Sequence, residues 1–192
     1  IHSVSKKIPS KIIHLQTNDF NGDIYQGYAR LVESLLKTLP WDRVQPAEKE
    51  INIIGYLYDR MENDHLANVN EMVRMLWDLG IKTRAIFMNP LPYRKFKVAI
   101  GASWNVILPY LHQYCEDLEE ISQRKSLFCG YPMGLKPTER WLDTIASTIG
   151  VDKNTIDKSI QAKRANISPM LNYAREKLSG KTVAIFADSV MA

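Results

Sequence analysis

Cysteine is scarce in this chain, since Cys115 and Cys129 are the only two among 192 residues. Two thiols cannot build a disulfide framework and nothing in the composition points to secretion, so we expect a cytoplasmic protein. Long apolar runs are missing as well: none approaches the roughly 18 residues that a membrane span needs. We therefore expect no membrane partner.

Strong charge of either sign is also missing, because the formal net charge is only +4 and basic residues alternate with acidic ones. The densest basic stretch, YRKFK at residues 93–97, carries three charges. A solvated helix face explains it better than nucleic-acid binding, which requires a larger basic footprint. No nucleic-acid partner is expected.

Several sequence motifs that would identify a catalytic or nucleotide site do not occur. The first predicted loop, NDFNGDIYQG, lacks the G-x-G-x-x-G spacing of dinucleotide sites, and neither a phosphate-binding P-loop nor a G-x-S-x-G motif is present. The four histidines lack metal-ligand spacing, and a buried imidazole is the better interpretation of His14. Cys115 and Cys129 are interpreted as small buried hydrophobes, and two thiols alone could not complete an iron–sulfur shell.

Short apolar runs alternate with amphipathic segments along the whole chain. The predicted strands are 12–17, 51–58, 82–88, 105–108, 127–133 and a last one that begins at 181. The predicted helices are 25–39, 65–80, 93–102, 110–123, 138–149 and 153–178. Strands that are apolar on both faces and alternate with helices predict a parallel sheet covered on two sides. The fold class is therefore α/β, with a Rossmann-like, doubly wound parallel sheet.

Two helices have further predicted features. The inner face of 65–80 is expected to consist of apolar residues at helical spacing, namely Leu66, Val69, Met72, Val73 and Leu76. The last helix contains Pro169, which should kink or split it near Ser168.

Candidate functional residues follow the predicted strands, where the crevice of a parallel sheet lies. Asp19, Asp59 and Asp188 each come after a strand. Loop capping is the alternative for all three, and it is the better interpretation of Asp59 and Asp188. The stretch CGYPMGLKPTERW, residues 129–141, predicts a strand–loop–helix junction in which Gly134 allows a close turn.

Five stretches together resemble the nitrogenase component 1 family, a group of iron–sulfur oxidoreductase and scaffold subunits built from three Rossmann-like domains. They stand in this sequence as IHLQTNDFNGDIYQGYARLVESLL, INIIGYLYDRMENDHLANVNEMVRMLWDLGIKTRAIF, IGASWNVILPYLHQYCEDLEE, YPMGLKPTERWLDTIASTIG and LSGKTVAIFAD. The resemblance covers nearly the whole chain, and the order and spacing of the stretches carry it. The Pro-Met-Gly-Leu sequence is similar to the β-type subunit.

The resemblance implies a domain organisation and a small set of site residues. Residues 1–180 would form the middle domain of such a subunit, and residues 181–192 would be the first strand of a following domain. Gly134 would lie in one wall of the crevice between domains, near the cofactor. Asp19 stands where β-type subunits have a serine near the bridging cluster, which makes it a candidate cofactor-binding and iron-ligating residue. Pro109 stands where α-type subunits have a cofactor-binding cysteine.

The function implied is that of a β-like subunit that supports an electron-relay iron–sulfur cluster and a subunit interface, as in nitrogen fixation. Its partners would be an α-like subunit and an ATP-dependent iron-protein reductase. The cluster would belong to the full-length protein, whereas this piece would hold none and be inactive alone. A cofactor-assembly scaffold and a tetrapyrrole reductase subunit are alternatives in the same family, and a small-molecule-binding α/β module is an alternative of another class.

Overall fold

The computed structural model describes residues 15, 23–56, 65–87, 96–115 and 117–184. The helices are α1 (Ile24–Leu36), α2 (His65–Trp77), α3 (Leu118–Ser122), α4 (Leu135–Thr148) and α5 (Lys153–Leu178). The strands are β1 (Ala47–Ile54), β2 (Lys82–Ile86), β3 (Ala102–Ile107) and β4 (Lys125–Phe128). Three 3-10 helices lie between them, at Trp41–Arg43, Lys97–Gly101 and Pro109–Tyr114.

The four strands form one parallel sheet in the order β2-β1-β3-β4. The apolar second half of β1, which ends at Ile53 and Ile54, is completely buried in the centre of the sheet. A central strand covered on both faces needs apolar side chains in both directions, as its sequence has. The predicted α/β class and parallel sheet are confirmed.

Helices cover the sheet in two groups. α1 packs against the 3-10 helix Pro109–Tyr114 and against α3, whereas α2 packs against β2 and α4, and α4 packs against α5. The connections from β1 to β2 and from β2 to β3 run in opposite directions across the sheet. Right-handed crossovers place such connections on opposite faces, which gives the doubly wound arrangement.

Three of the described strands begin earlier than predicted, whereas β2 begins at Lys82 as predicted. β1 starts at Ala47 rather than at 51, and β3 starts at Ala102 rather than at 105. At the amino edge, Glu50 on β1 pairs with Arg84 and Lys82 on β2, so a charged residue there still belongs to the ladder. β4 is short and ends at Phe128, and the predicted strand 127–133 was wrong beyond that residue.

Two helix predictions also need correction. The predicted helix 110–123 is broken at Cys115, whose backbone leaves the helical region (φ −122°, ψ 32°), into a 3-10 helix and α3. Within 93–102 the described residues form the 3-10 helix Lys97–Gly101, and Ala102 already belongs to β3. Leu66 was assigned wrongly to an inner face, because 54% of it is exposed on α2.

The last helix has the predicted bounds, 153–178, and runs as one helix through Pro169. The split expected near Ser168 is wrong: that hydroxyl donates to the carbonyl of Arg164 at 2.7 Å, within a continuous helix. Residues 181–184 form no strand. The rest of the predicted last strand and almost all of the first, 12–17, lie outside the described residues.

Candidate functional site

The candidate site lies where the parallel strands end, because their carboxyl ends meet at one edge of the sheet. β1, β3 and β4 end at Ile54, Ile107 and Phe128. The ladder continues one residue further: the Leu108 amide donates to the Ile54 carbonyl at 2.8 Å, and the Cys129 amide donates to the Ile107 carbonyl at 3.0 Å. The backbone at this edge is therefore held in fixed register.

Gly55 brings the end of β1 close to the end of β3. Its φ is +94°, and an added Cβ would lie 3.1 Å from the carbonyl oxygen of Leu108. Both the backbone conformation and the space exclude a larger residue. The sequence signal was a glycine inside the predicted strand 51–58, which in the structure follows Ile54, the last residue of β1.

Three tyrosines, Tyr25, Tyr110 and Tyr131, form a cluster beside this edge, here called the tyrosine cluster. Tyr25 stacks on Tyr110 with ring centroids 4.5 Å apart, and Tyr110 meets Tyr131 edge to face at 5.3 Å. The Tyr131 hydroxyl donates to the Gly55 carbonyl at 2.9 Å. The cluster fastens the segment after β4, and the start of α1, to the ends of β1 and β3.

Asp23 connects the start of α1 to the same edge. Its carboxylate accepts from the Gln26 amide at 2.8 Å as a helix cap and from the Tyr114 hydroxyl at 2.8 Å. These hydrogen bonds, led by the one from Gln26, lower the pKa of Asp23, and the same contact raises the pKa of Tyr114. Asp23 is thereby used in local structure, as an ionised cap.

The two cysteines are buried, as predicted. Burial raises the thiol pKa of each to about 12, and the charge of Glu33 adds to the effect at Cys115. A reactive or metal-ligating cysteine needs a thiolate, so neither is poised for that chemistry. In the described part of the chain, no three His, Cys, Asp or Glu side chains are grouped to hold a metal. These residues therefore do not fit an iron–sulfur cluster.

Gly134 begins α4 in a conformation (φ 78°, ψ 167°) that favours glycine. An added Cβ would meet no atom within 4 Å, so the backbone angle and not crowding requires glycine there. The residue borders a groove of about 370 Å³ between α2, α4 and α5, whose apolar walls include Leu142 of α4 and Ile160 of α5. We call this the α4–α5 groove.

The remaining predicted site residues lie either outside the described part of the chain or, in the case of Pro109, close to the end of β3. Asp19, Asp59, Asp188 and His14 lie outside the described residues. Pro109 lies two residues after Ile107, the last residue of β3, and starts the 3-10 helix Pro109–Tyr114. The proline at this position shapes the backbone, and its side chain has no atom that could act as a ligand.

A buried polar network behind this edge was missed by the sequence reasoning. Asn52 and Asn105 lie opposite each other on β1 and β3, and Asn52 Nδ2 donates to Asn105 Oδ1 at 3.0 Å. Asn105 Nδ2 donates in turn to Ser122 Oγ at 2.9 Å. All three residues are fully buried, and together they join both central strands to α3. The available signal was an asparagine inside each of the apolar runs INII and NVIL.

Arg124 was missed as well, and it lies at the opposite, amino edge of the sheet. Its guanidinium donates to the carbonyls of Trp41 and Val44, both at 3.0 Å, and of Ile100 at 2.9 Å. It also lies 5.6 Å from the centre of the Trp41 ring, and burial lowers its pKa. Its role is to hold two loops onto the sheet, away from the candidate site.

Comparison with known proteins gives a single consistent result. The family model described as nitrogenase component 1 type oxidoreductase matches residues 1–192. Similar proteins are light-independent protochlorophyllide reductase subunits N. The one from Roseobacter denitrificans is 24% identical over 96% of this chain and 40% of its own length. One from Bradyrhizobium sp. is 30% identical over 85% of this chain and 36% of its own.

A third relative, from Rhodopseudomonas palustris, is 27% identical over 85% of this chain and 36% of its own length. The chain thus spans about two fifths of the length of the curated relatives that it matches. Within the described residues, none of the helices is both long and apolar enough to cross a membrane.

Proposed function

Because the chain belongs to the nitrogenase component 1 type oxidoreductases, we propose that it is one Rossmann-like lobe of a reductase subunit in a multi-subunit electron-transfer complex. The whole-length family match carries this proposal. In it, residues 1–180 form the middle lobe and residues 181–192 lead into a following one. The β-type assignment made from Pro-Met-Gly-Leu is part of the same proposal.

In this function, the described residues form the supporting structure and one wall of the crevice, and they provide no ligands to the cluster. The backbone at the carboxyl edge of the sheet is held in a fixed position by the strand register, by the close approach at Gly55 and by the tyrosine cluster. Since these residues do not fit a cluster, the cysteines that hold one belong to other parts of the subunit or to its partner. Asp19 remains a proposed oxygen ligand from this chain.

The relatives favour a tetrapyrrole substrate over dinitrogen. Each relative described above carries the name of a light-independent protochlorophyllide reductase subunit. We therefore place tetrapyrrole reduction first, with the reducing electrons delivered by an ATP-dependent iron-protein partner. The cofactor-assembly scaffold is the second candidate, and a complex that binds a cluster but has no turnover would favour it.

The test is an anaerobic assay of the full-length gene product, purified with its companion subunit and combined with the ATP-dependent reductase. We expect ATP-dependent loss of the protochlorophyllide absorbance, which follows reduction of a ring double bond. A complex that lacks iron altogether would contradict the assignment to an electron-relay subunit.

Gly134 can be tested in the same assay with a matched control. Gly134→Ala and Gly150→Ala each put alanine at a positive φ, +78° and +84°, where a Cβ meets no atom within 4 Å. Gly134→Ala should cost more stability, up to about 3 kcal/mol, because φ 78° with ψ 167° is a region essentially confined to glycine, so turnover is compared per mole of folded complex. If Gly134 lines the crevice, Gly134→Ala lowers turnover well below that of Gly150→Ala. Equal turnover of the two variants would leave Gly134 with only a backbone role.

A further inference from the structure

A second cavity lies at the carboxyl end of β4, the outermost strand of the described sheet, and shares no lining residue with the α4–α5 groove. It measures about 300 Å³ and lies between the segment that follows β4 and one face of α4. We call it the β4–α4 cavity, and its walls consist of Phe128, Cys129, Gly130, Tyr131, Pro137, Arg140, Trp141 and Thr144. Ligands of parallel α/β sheets bind beyond the carboxyl ends of the strands, which is where this cavity opens.

The β4–α4 cavity has one charged side chain in its wall, and that side chain is a cation. Two arginines elsewhere on the helical layer are neutralised, since Arg74 pairs with Glu71 and Arg164 pairs with Glu139. Arg140 is exposed on α4 and pairs with no carboxylate of the described residues. None of the residues that line the cavity is acidic. The Arg140 guanidinium is therefore free to bind an anion from solution.

Two further hydrogen-bond donors belong to the same wall. Trp141 is only 2% exposed, and its Nε1 is buried without a hydrogen bond to any described residue. The hydroxyl of Thr144, one turn beyond Arg140 on α4, also makes no hydrogen bond in the described part of the chain. Buried indole N–H groups usually have an acceptor. Donors without acceptors in a cavity wall indicate a ligand that carries an acceptor group.

The rest of the wall is apolar and includes an aromatic ring. Phe128 is 46% exposed and meets His112 edge to face, with ring centroids 5.2 Å apart. Cys129 and Pro137 supply further apolar surface. A guanidinium binds a carboxylate through two parallel hydrogen bonds, and an aromatic ring packs well against another ring. The combination suits a planar ligand that carries a single carboxylate.

The size and charge of the β4–α4 cavity restrict the ligand further. Small-molecule sites typically measure roughly 300–1,000 Å³, so a cavity at the lower end of that range holds a molecule of about one ring. A phosphate dianion is bound by several cations or by backbone amides at a helix N-terminus. The described wall supplies one guanidinium, which matches a monoanion.

We propose that the β4–α4 cavity binds a small aromatic monocarboxylate, with the carboxylate on Arg140 and Thr144 and the ring against Phe128. The indole N–H of Trp141 is the further donor in the same wall. The proposal goes beyond the proposed function, because it involves neither a cluster nor a second subunit.

Saturation-transfer NMR on the full-length gene product tests the proposal, with benzoate as the probe. We expect saturable binding with a Kd on the order of 1 mM, which is the range for so small a ligand. Benzamide, which has the same shape without the charge, should bind about tenfold more weakly, because it lacks the charge-assisted hydrogen bonds. Equal binding of benzamide, a benzoate signal that does not saturate, or displacement of benzoate by equimolar inorganic phosphate would each overturn the proposal.

Variants of α4 locate the benzoate site. Arg140→Gln should weaken benzoate binding about tenfold. Lys136→Gln removes the same charge one turn earlier, outside the cavity, and should leave the Kd unchanged. Thr144→Val keeps the side-chain shape without the hydroxyl and should weaken binding several-fold. Equal Kd values for the Arg140 and Lys136 variants would overturn the proposal. These measurements are independent of iron content and turnover, so this proposal and the proposed function can fail separately.

Discussion

Single side chains in this protein are used mainly to hold segments together. Arg124 gathers carbonyls from two loops, Asn105 links two strands to α3, and Asp23 caps α1 while it accepts from Tyr114. Each group is polar, yet none is placed as a nucleophile or a metal ligand. Most of their polar atoms have backbone or side-chain partners, but within the described structure Arg124 Nε is buried and makes no hydrogen bond.

The buried thiols predict a dependence of stability on alkaline pH. The thiol pKa of both Cys115 and Cys129 is about 12 in the folded protein, against an ordinary value of 9.0. The unfolded chain therefore releases thiol protons at lower pH, so the free energy of unfolding falls as pH rises from 9 towards 12. Urea unfolding at several pH values from 8 to 10.5 measures the slope.

Cys115→Ala combined with Cys129→Ala provides the control for this prediction. Other titrating groups change alike in both proteins, so the variant should show a shallower decline with pH. Parallel declines would show that the thiols ionise as easily in the folded protein as in the unfolded chain.

Among the elements, α5 departs furthest from what local preference dictates. It runs for 26 residues through Pro169, although proline lacks the amide that would bond the carbonyl of Ala165. Pro169 is exposed, so the freed carbonyl can be hydrated rather than left unpaired. The first half of α5 is stabilised by packing against α4. The second half extends that helix, because adding residues to an existing helix costs less than starting a new one.

Replacement of this proline should stabilise the helix. Pro169→Ala restores one backbone hydrogen bond and removes a steric clash, for a gain of up to about 3 kcal/mol in the free energy of unfolding. Thermal unfolding followed by circular dichroism would show a higher Tm. A lower Tm would mean that a bend at Pro169 is needed for packing. Ser168→Ala, which loses only the hydroxyl bond to Arg164, should change little by comparison.

At the scale of the whole molecule, the described part of the carboxyl edge is ordered but offers no group of three metal ligands. Backbone hydrogen bonds and the tyrosine cluster fix the carboxyl ends of β1, β3 and β4. The thiols of both cysteines are buried in the interior. Such an edge is suited to form one side of a crevice in a larger assembly. It does not suit a self-sufficient redox centre.

Metal content tests that view directly. The 192-residue chain, purified without oxygen, is expected to be colourless and free of iron, because its described residues offer no group of three metal ligands. Absorbance near 400 nm and iron analysis measure the outcome. A brown protein with stoichiometric iron would show that the ligands lie within this chain, and Asp19→Asn would then be the first variant to examine.

The order of elements and the fold class could be predicted from the sequence, because buried parallel strands need continuous apolar runs and surface helices need one apolar face. INIIGY predicted the core of β1, and the helix 153–178 was placed at its observed bounds. The family resemblance rested on the same order of segments, and the match over residues 1–192 confirms it.

Tertiary contacts decided the rest. Glu50, in the charged start of β1, pairs with Arg84 across the ladder, and Leu66 stayed exposed because none of the described elements covers it. Asn52 and Asn105 became partners only when parallel pairing set them side by side. The local sequence pattern indicates which side chains avoid water. The packing of distant segments decides which groups come into contact and which apolar face of α5 stays exposed.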